Sequence, residues 1–376
     1  MTPEQARFAT FVLGVILAFV VTYVLIVGKG LILPVFTAII SVYILSAAAE
    51  AMGRLPFLDR VPSMVRRLLV LAGFVLCLVG FGFVISSTVD QLIEAGPTYR
   101  DNLTGFARSV ADLFGLERLP TLDQVRDAVF PEVDFKDLLL GILGSLTSLG
   151  SDIFLVVVYA IFLVAEQGSI PRKLAVAVPD KERAARIAGL FTEINRKIGD
   201  YLAVKTLVNV ILGAVSYAVM LAMGLDFALF WAVMIALFNY IPFVGTVAVL
   251  FPIVLSLAQF GSLSFTAVLA GLLFLTQLVS DNVLEPKLFS RQLNLSPFVI
   301  ILALSFWTAL WGLPGAILAI PITAMIAIIC DAFPATKFVA TFLAERLPGD
   351  AARPERQAHA LPVGGRRRSR QGEKRK

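Results

Sequence analysis

Asp281, Asn282 and Glu285 fall within eight residues, DNVLEPKL, at the edge of a long apolar block. Asp281 and Glu285 are spaced i and i+4, so on a helix they share a face. Carboxylates at a membrane edge can bind a cation or exchange a proton. The same residues beside Lys287 also suit an interfacial ion-pair cluster, because Pro286 ends a helix early and leaves Asp281 in a solvated loop. Asn239 and Gln277 are neutral amides inside apolar runs. They can hydrogen-bond a small polyol, coordinate an ion, or act as glue between helices. Trp307 and Trp311 suit stacking on a ligand, packing, or anchoring at an interface. Pro242, Gly245, Gly312, Pro314 and Gly315 offer backbone rather than side-chain chemistry. They interrupt apolar segments and are expected at the tips of helical hairpins.

The elements that hold these residues must be membrane spans. Of 376 residues, 58% are hydrophobic and 16% charged, against roughly 25% charged in a soluble protein. Mean hydropathy is +0.86, and the apolar residues come in blocks rather than stripes. The fold expected is an all-α polytopic membrane protein with about six full spans plus two broken, re-entrant hairpins. The spans read as 8–27, 31–49, 68–89, 138–165, 202–223 and 265–279. The broken segments are 227–257, interrupted at 239–245, and 297–329, interrupted at 311–315. Full spans in both pairs give the same parity as re-entrant ones. Pro and Gly at membrane depth free backbone groups that lipid cannot satisfy, so such breaks face protein or a watery cavity. The order span, broken pair, span, broken pair predicts an inverted repeat whose tips meet near the midplane and form a transport site.

The chain divides into 1–89 (three spans), 90–137, 138–165 (fourth span), 166–201, 202–333 (the transport half) and 334–376. Segment 90–137 carries ten acidic and five basic residues and reads as a small helical layer outside the membrane, with a capping box at Thr121–Gln124. Segment 166–201 is basic, and within it 180–201 reads as an amphipathic helix on the cytoplasmic surface. The tail is basic and polar, suited to anionic lipid or simply to fixing topology. Positive charge at 50–67, 166–205 and the tail predicts cytoplasmic N- and C-termini.

Several function classes fall away. The only histidine, His359, is in the tail, and Cys77 and Cys330 sit in apolar blocks, so neither a metal site nor a disulfide is expected. There is no Walker A loop, nucleophile elbow or HExxH motif. The expectations are no enzyme activity, no cofactor beyond a coupling ion (sodium or proton), and no nucleic-acid partner; the lipid bilayer and a small-molecule or ion substrate are the partners. A non-transporting membrane scaffold is the remaining alternative.

The fragments YIPFVG, DNVLEPKL, LNLSPF, FW, WG, PG and AIPITA, in that order, resemble the AI-2E (autoinducer-2 exporter) family of bacterial membrane proteins. The similarity is strongest over about 190–331. The resemblance implies a transporter of the bacterial inner membrane and a homo-oligomer, with a pentamer as the suggested order. For some members it implies export of autoinducer-2, a quorum-sensing signal, and for others sodium(lithium)/proton antiport.

Overall fold

Long runs of Leu, Val, Ile and Ala leave the backbone one way of satisfying its own polar groups in lipid within a single segment, the α-helix. In the computed structural model the described residues are 3–53, 60–114, 154–166, 180–288 and 293–345, with isolated positions between 169 and 178. They form α1 (Pro3–Val27), α2 (Lys29–Met52), α3 (Ser63–Phe114) and α4 (Phe154–Glu166). Then come α5 (Lys181–Ala222), α6 (Ala228–Phe238), α7 (Val244–Ala248) and α8 (Leu250–Phe260). Next, α9 (Leu263–Val279) passes through a π-helical turn (Ser280–Leu284) into α10 (Glu285–Leu288). Finally α11 (Pro297–Ala332) leads to α12 (Lys337–Leu343). No strand occurs among the described residues. Among the described residues, five helices are long and apolar enough to cross a membrane. Large apolar side chains such as Leu17, Phe19 and Phe83 stand exposed on α1 and α3, a surface that acyl chains cover. The protein is an all-α polytopic membrane protein.

Two expected boundaries dissolve into continuous helices. The third span ends at Thr88, as expected, but its helix does not: α3 runs 52 residues to Phe114 and passes through Pro97. At 1.5 Å per residue it is about 78 Å long, far more than a ~30 Å hydrocarbon core. Residues 180–201 are not a separate surface helix either. Asp180 caps the N-terminus by accepting from the backbone N–H groups of Glu182 and Arg183, and α5 then continues unbroken to Ala222. Its apolar stripe is used for protein packing: Ile194, Ile198 and Leu202 are buried against Val299, Ala303 and Ile322 of α11. The capping box at 121–124, most of the fourth span and the basic tail lie outside the described residues.

Both interrupted segments are hairpins. In the first, Trp231 on α6 stacks on Phe251 of α8, ring centroids 5.9 Å apart and planes 8° from parallel. Its turn holds Phe243 at φ 67°, an uncommon left-handed position for an aromatic residue. In the second, α11 is broken at Gly312 (φ 65°, ψ −144°), where only glycine is relaxed. Trp307 Nε1 donates to Thr323 Oγ1 across the break at 3.1 Å. A side chain at Gly315 would strike the Trp307 carbonyl oxygen, so its absence lets the arms close. The arms of the first hairpin are short: eleven residues in α6 span about 17 Å.

The two tips do not meet. Each hairpin packs on α5 and belongs to a separate apolar core. The physical reason lies in the second tip, which is sealed by its own indoles. Trp307 and Trp311 are buried with ring centroids 5.0 Å apart. Trp311 Nε1 donates to the Leu25 carbonyl of α1 at 3.0 Å, and its ring packs on Phe36 of α2. The two indole N–H groups at that break are met by its own hairpin and by α1.

Candidate functional site

A cavity of about 580 Å³ lies where α5, the first hairpin tip, the π turn and the start of α11 converge. Each element contributes polar atoms for a local reason. The chain turns at Asn239–Phe243 because Pro242 cannot extend α6, and this sets Asn239 and Tyr240 at the end of an apolar arm. The π turn at Ser280–Leu284 adds one residue to the helical repeat and rotates the Asp281–Glu285 segment relative to α9. Such turns concentrate at functional sites.

An amide ladder runs through the site. Gln277 Nε2 donates to Asn239 Oδ1 at 3.0 Å and to the Asp281 carboxylate at 3.0 and 3.1 Å. Asn239 Nδ2 donates on to Asn209 Oδ1 of α5 at 2.8 Å. Asn209, Asn239 and Gln277 are 2%, 5% and 3% exposed, so the ladder is dry. Beside it Lys205 of α5 pairs with Glu285. Thr206 Oγ1 donates to the Leu202 carbonyl, so the Tyr240 hydroxyl, 2.7 Å away, is the donor between that pair. The first hairpin tip is thus tied to α5 through Tyr240 and Asn239.

Gly245 completes the arrangement. An added Cβ would lie 2.4 Å from Asn239 Oδ1 and 2.9 Å from Asn239 Cα. The glycine lets α7 approach the ladder; it is a matter of space, not of φ.

Of the residues singled out in the sequence, Asn239, Gln277, Asp281, Glu285, Pro242 and Gly245 line this one cavity. Asn282 does not: it is exposed and donates to the Leu278 carbonyl of its own helix. Trp307, Trp311, Gly312, Pro314 and Gly315 are outside the lining and build the second tip. Sequence reasoning missed Tyr201, Lys205, Asn209 and Tyr240. Asn209 is one more amide in an apolar run, the signal that marked Asn239. Among the described residues no cluster of metal-ligating side chains occurs.

The far end of α5 is closed. Lys205 and Gly224 are nineteen residues apart, about 28 Å along a helix. There Gln259 grips the base of the first hairpin, donating from Nε2 to the Gly224 carbonyl at 3.0 Å and accepting from the Asp226 N–H at 2.9 Å. The extension of α3 holds the same point: Asn102 Nδ2 donates to the Gln259 carbonyl at 2.7 Å, and the Tyr99 hydroxyl to Asp226 Oδ2 at 2.8 Å. Burial, and then the Asp226 carboxylate, push the Tyr99 hydroxyl well above its ordinary value, so it stays a donor.

A multi-pass helical protein with a polar cavity at a broken-helix tip is built as a membrane transporter. The AI-2E family transporter model matches residues 10–335, and the chain belongs to that family. TqsA of Escherichia coli K12, an AI-2 transport protein by name, is 28% identical over 322 residues, 84% of this chain and 90% of its own. A transport-protein relative from Borreliella burgdorferi is 30% identical over 263 residues, 68% and 70% of the two chains. YhhT of Escherichia coli K12 is 32% identical over 189 residues, about half of each chain. The protein is a bacterial multi-pass membrane transporter.

Proposed function

We propose that the chain is a secondary transporter of a small polar solute, that the solute sits in the cavity at the first hairpin tip, and that transport proceeds by alternating access. The observation that carries this reading is the dry amide ladder Asn209–Asn239–Gln277, which ends on the exposed Asp281 carboxylate at the cavity wall. Buried polar side chains cost free energy unless partnered, and this row meets at a cavity of a size suited to a small molecule. The Gln259 clamp supports the second half of the proposal: one end of α5 is closed while the other borders the cavity. With the basic stretch ahead of Lys205 in the cytoplasm, the arrangement is open inward and closed outward. The likeness to TqsA, named for AI-2 transport, makes an autoinducer-2-like signal one candidate cargo.

Ion exchange is a second reading with its own support, since Asp281 and Glu285 flank the π turn beside Lys205. Proteoliposomes loaded with a panel of small solutes separate the two. Solute flux that survives collapse of sodium and proton gradients favours solute transport. Sodium flux that tracks pH, with no solute movement, favours exchange. No flux of any kind under any imposed gradient contradicts both.

A further inference from the structure

The short helix α12 lies across the open end of the second hairpin. The turn that leads into it is closed by Thr336, whose Oγ1 donates to the Cys330 carbonyl near the end of α11 at 3.0 Å. At its other end the N–H of Ser296, which caps the start of α11, donates to the Leu343 carbonyl at 3.0 Å. α12 therefore runs from the end of the returning arm to the beginning of the entering arm. Its seven residues rise about 10 Å, the ordinary spacing of two packed helices. Both arm ends stand at the level where the apolar hairpin leaves the membrane, so a helix that joins them lies along the membrane plane. At about 100° per residue its side chains fall into three sectors. Val339, Ala340 and Leu343 face the protein: Ala340 is buried and Leu343 packs on the hairpin core. Lys337 and Thr341 form an exposed polar sector. Phe338 and Phe342 form the third, 64% and 81% exposed. A helix lying in a membrane surface, with protein on one flank, needs such an arrangement: one sector for water and one for the headgroup and acyl boundary. The chain that follows has the matching charge. Residues 346–376 hold ten basic and three acidic side chains, an excess that anionic headgroups attract and that a second copy of the same segment would repel.

We infer that α12 is an in-plane anchor on anionic lipid: Phe338 and Phe342 sit in the headgroup boundary of the leaflet on the cavity side, and the basic segment after them selects negatively charged headgroups there. The anchor also holds the cavity rim. The Glu345 N–H donates to the Asn294 carbonyl at 3.4 Å, and Asn294, Leu295 and Glu345 line the cavity. That stretch of wall is thus pinned to the α12 end by two main-chain bonds, at Asn294 and at Ser296. The anchor is independent of the cargo.

The test uses two bimane-labelled variants of the full chain, Phe342→Cys and Thr341→Cys, each with Cys77 and Cys330 replaced by serine. They are placed in nanodiscs of phosphatidylcholine with or without phosphatidylglycerol. A nitroxide carried by the lipid should quench the dye on Phe342→Cys more than that on Thr341→Cys, and aqueous acrylamide should do the opposite. Phosphatidylglycerol should cut acrylamide quenching of Phe342→Cys several-fold. Replacing Arg366, Arg367 and Arg368 by glutamate, which leaves seven basic against six acidic residues in 346–376, should remove most of that protection. For the rim, Phe338→Asp added to Thr246→Cys should speed methanethiosulfonate modification several-fold. Phe338→Trp should keep the original rate, because tryptophan suits the same interface. Phe338 is exposed, so neither change opens the core. A dye on Phe342→Cys as open to acrylamide as that on Thr341→Cys overturns the anchor. So does one shielded from acrylamide and nitroxide alike, as a second protein chain would shield it. Protection indifferent to lipid charge overturns the anionic partner, and a Thr246→Cys rate unchanged by Phe338→Asp overturns the hold on the rim.

Discussion

Gly245→Ala is the sharpest probe of the ladder, because the structure states what the new methyl group meets. It would sit 2.4 Å from Asn239 Oδ1 and 2.9 Å from Asn239 Cα. The amide cannot swing clear, since Gln277 holds its oxygen at 3.0 Å and its nitrogen holds Asn209 at 2.8 Å. The Cα is main chain and moves only with the hairpin. Overpacking of this kind costs about 1–3 kcal/mol, two broken hydrogen bonds add about 1–3 kcal/mol, and alanine's better helix propensity returns about 1 kcal/mol. The net cost is about 1–5 kcal/mol. Gly271→Ala on α9 is the matched control, with nothing within 4 Å of its added Cβ. Thermal unfolding of purified protein, followed by tryptophan fluorescence, should place Gly245→Ala several degrees below wild type and Gly271→Ala level with it or above. Solute flux should fall with the first variant only. Equal melting and equal flux for the two alanine variants would refute the tight contact and the ladder built on it.

Three further outcomes follow from particular contacts. Lys205→Ala should reduce stability and flux more than the Lys205→Ala/Glu285→Ala pair, because the single change leaves Glu285, part-buried beside the cavity, alone; a double-mutant cycle should give a coupling of about 1 kcal/mol or more. Trp307→Phe and Thr323→Val should couple by about 0.5–1.5 kcal/mol, the worth of one buried hydrogen bond, and a cycle with no coupling would deny the closed second hairpin. Tyr99→Phe should loosen the clamp at Asp226 by about 1 kcal/mol. The folded Tyr99 pKa lies above its ordinary 10.0, so its contribution is full below pH 10 and is lost as pH rises beyond it. The wild-type melting temperature should therefore drop more steeply above that pH than that of Tyr99→Phe, and parallel profiles would contradict the clamp.

Asn239, Gln277, Asp281 and Glu285 are legible in the sequence because a polar residue inside or beside an apolar run is costly and so carries information. Pro242 and Gly245, and Gly312 to Gly315, mark both hairpins for the same reason: the backbone needs them. Lys205 is not legible as a site residue, since in the sequence it closes a basic stretch and reads as a topology signal; only the fold sets it against Glu285, eighty residues on. Continuity of α5 is hidden too. A basic amphipathic segment followed by an apolar one is the pattern of a surface helix and a span, and what joins them is the burial of Ile194, Ile198 and Leu202 on α11. The expectation that the two breaks face each other fails on side chains rather than on backbone. Trp307 and Trp311 are long enough to fill their own tip and find acceptors in Thr323 and Leu25, a pairing that no local spacing announces.

The claim at the centre is that cargo passes through the cavity at the first hairpin tip. Thr246 lines that cavity, and the chain's two cysteines, Cys77 and Cys330, can be replaced by serine to give a silent background. In that background Thr246→Cys, treated with a small charged methanethiosulfonate, should lose solute flux, and saturating solute should slow the modification. Thr308→Cys, exposed on α11 away from the cavity, should keep its flux under the same treatment. Full flux after complete labelling of Thr246→Cys would contradict the claim.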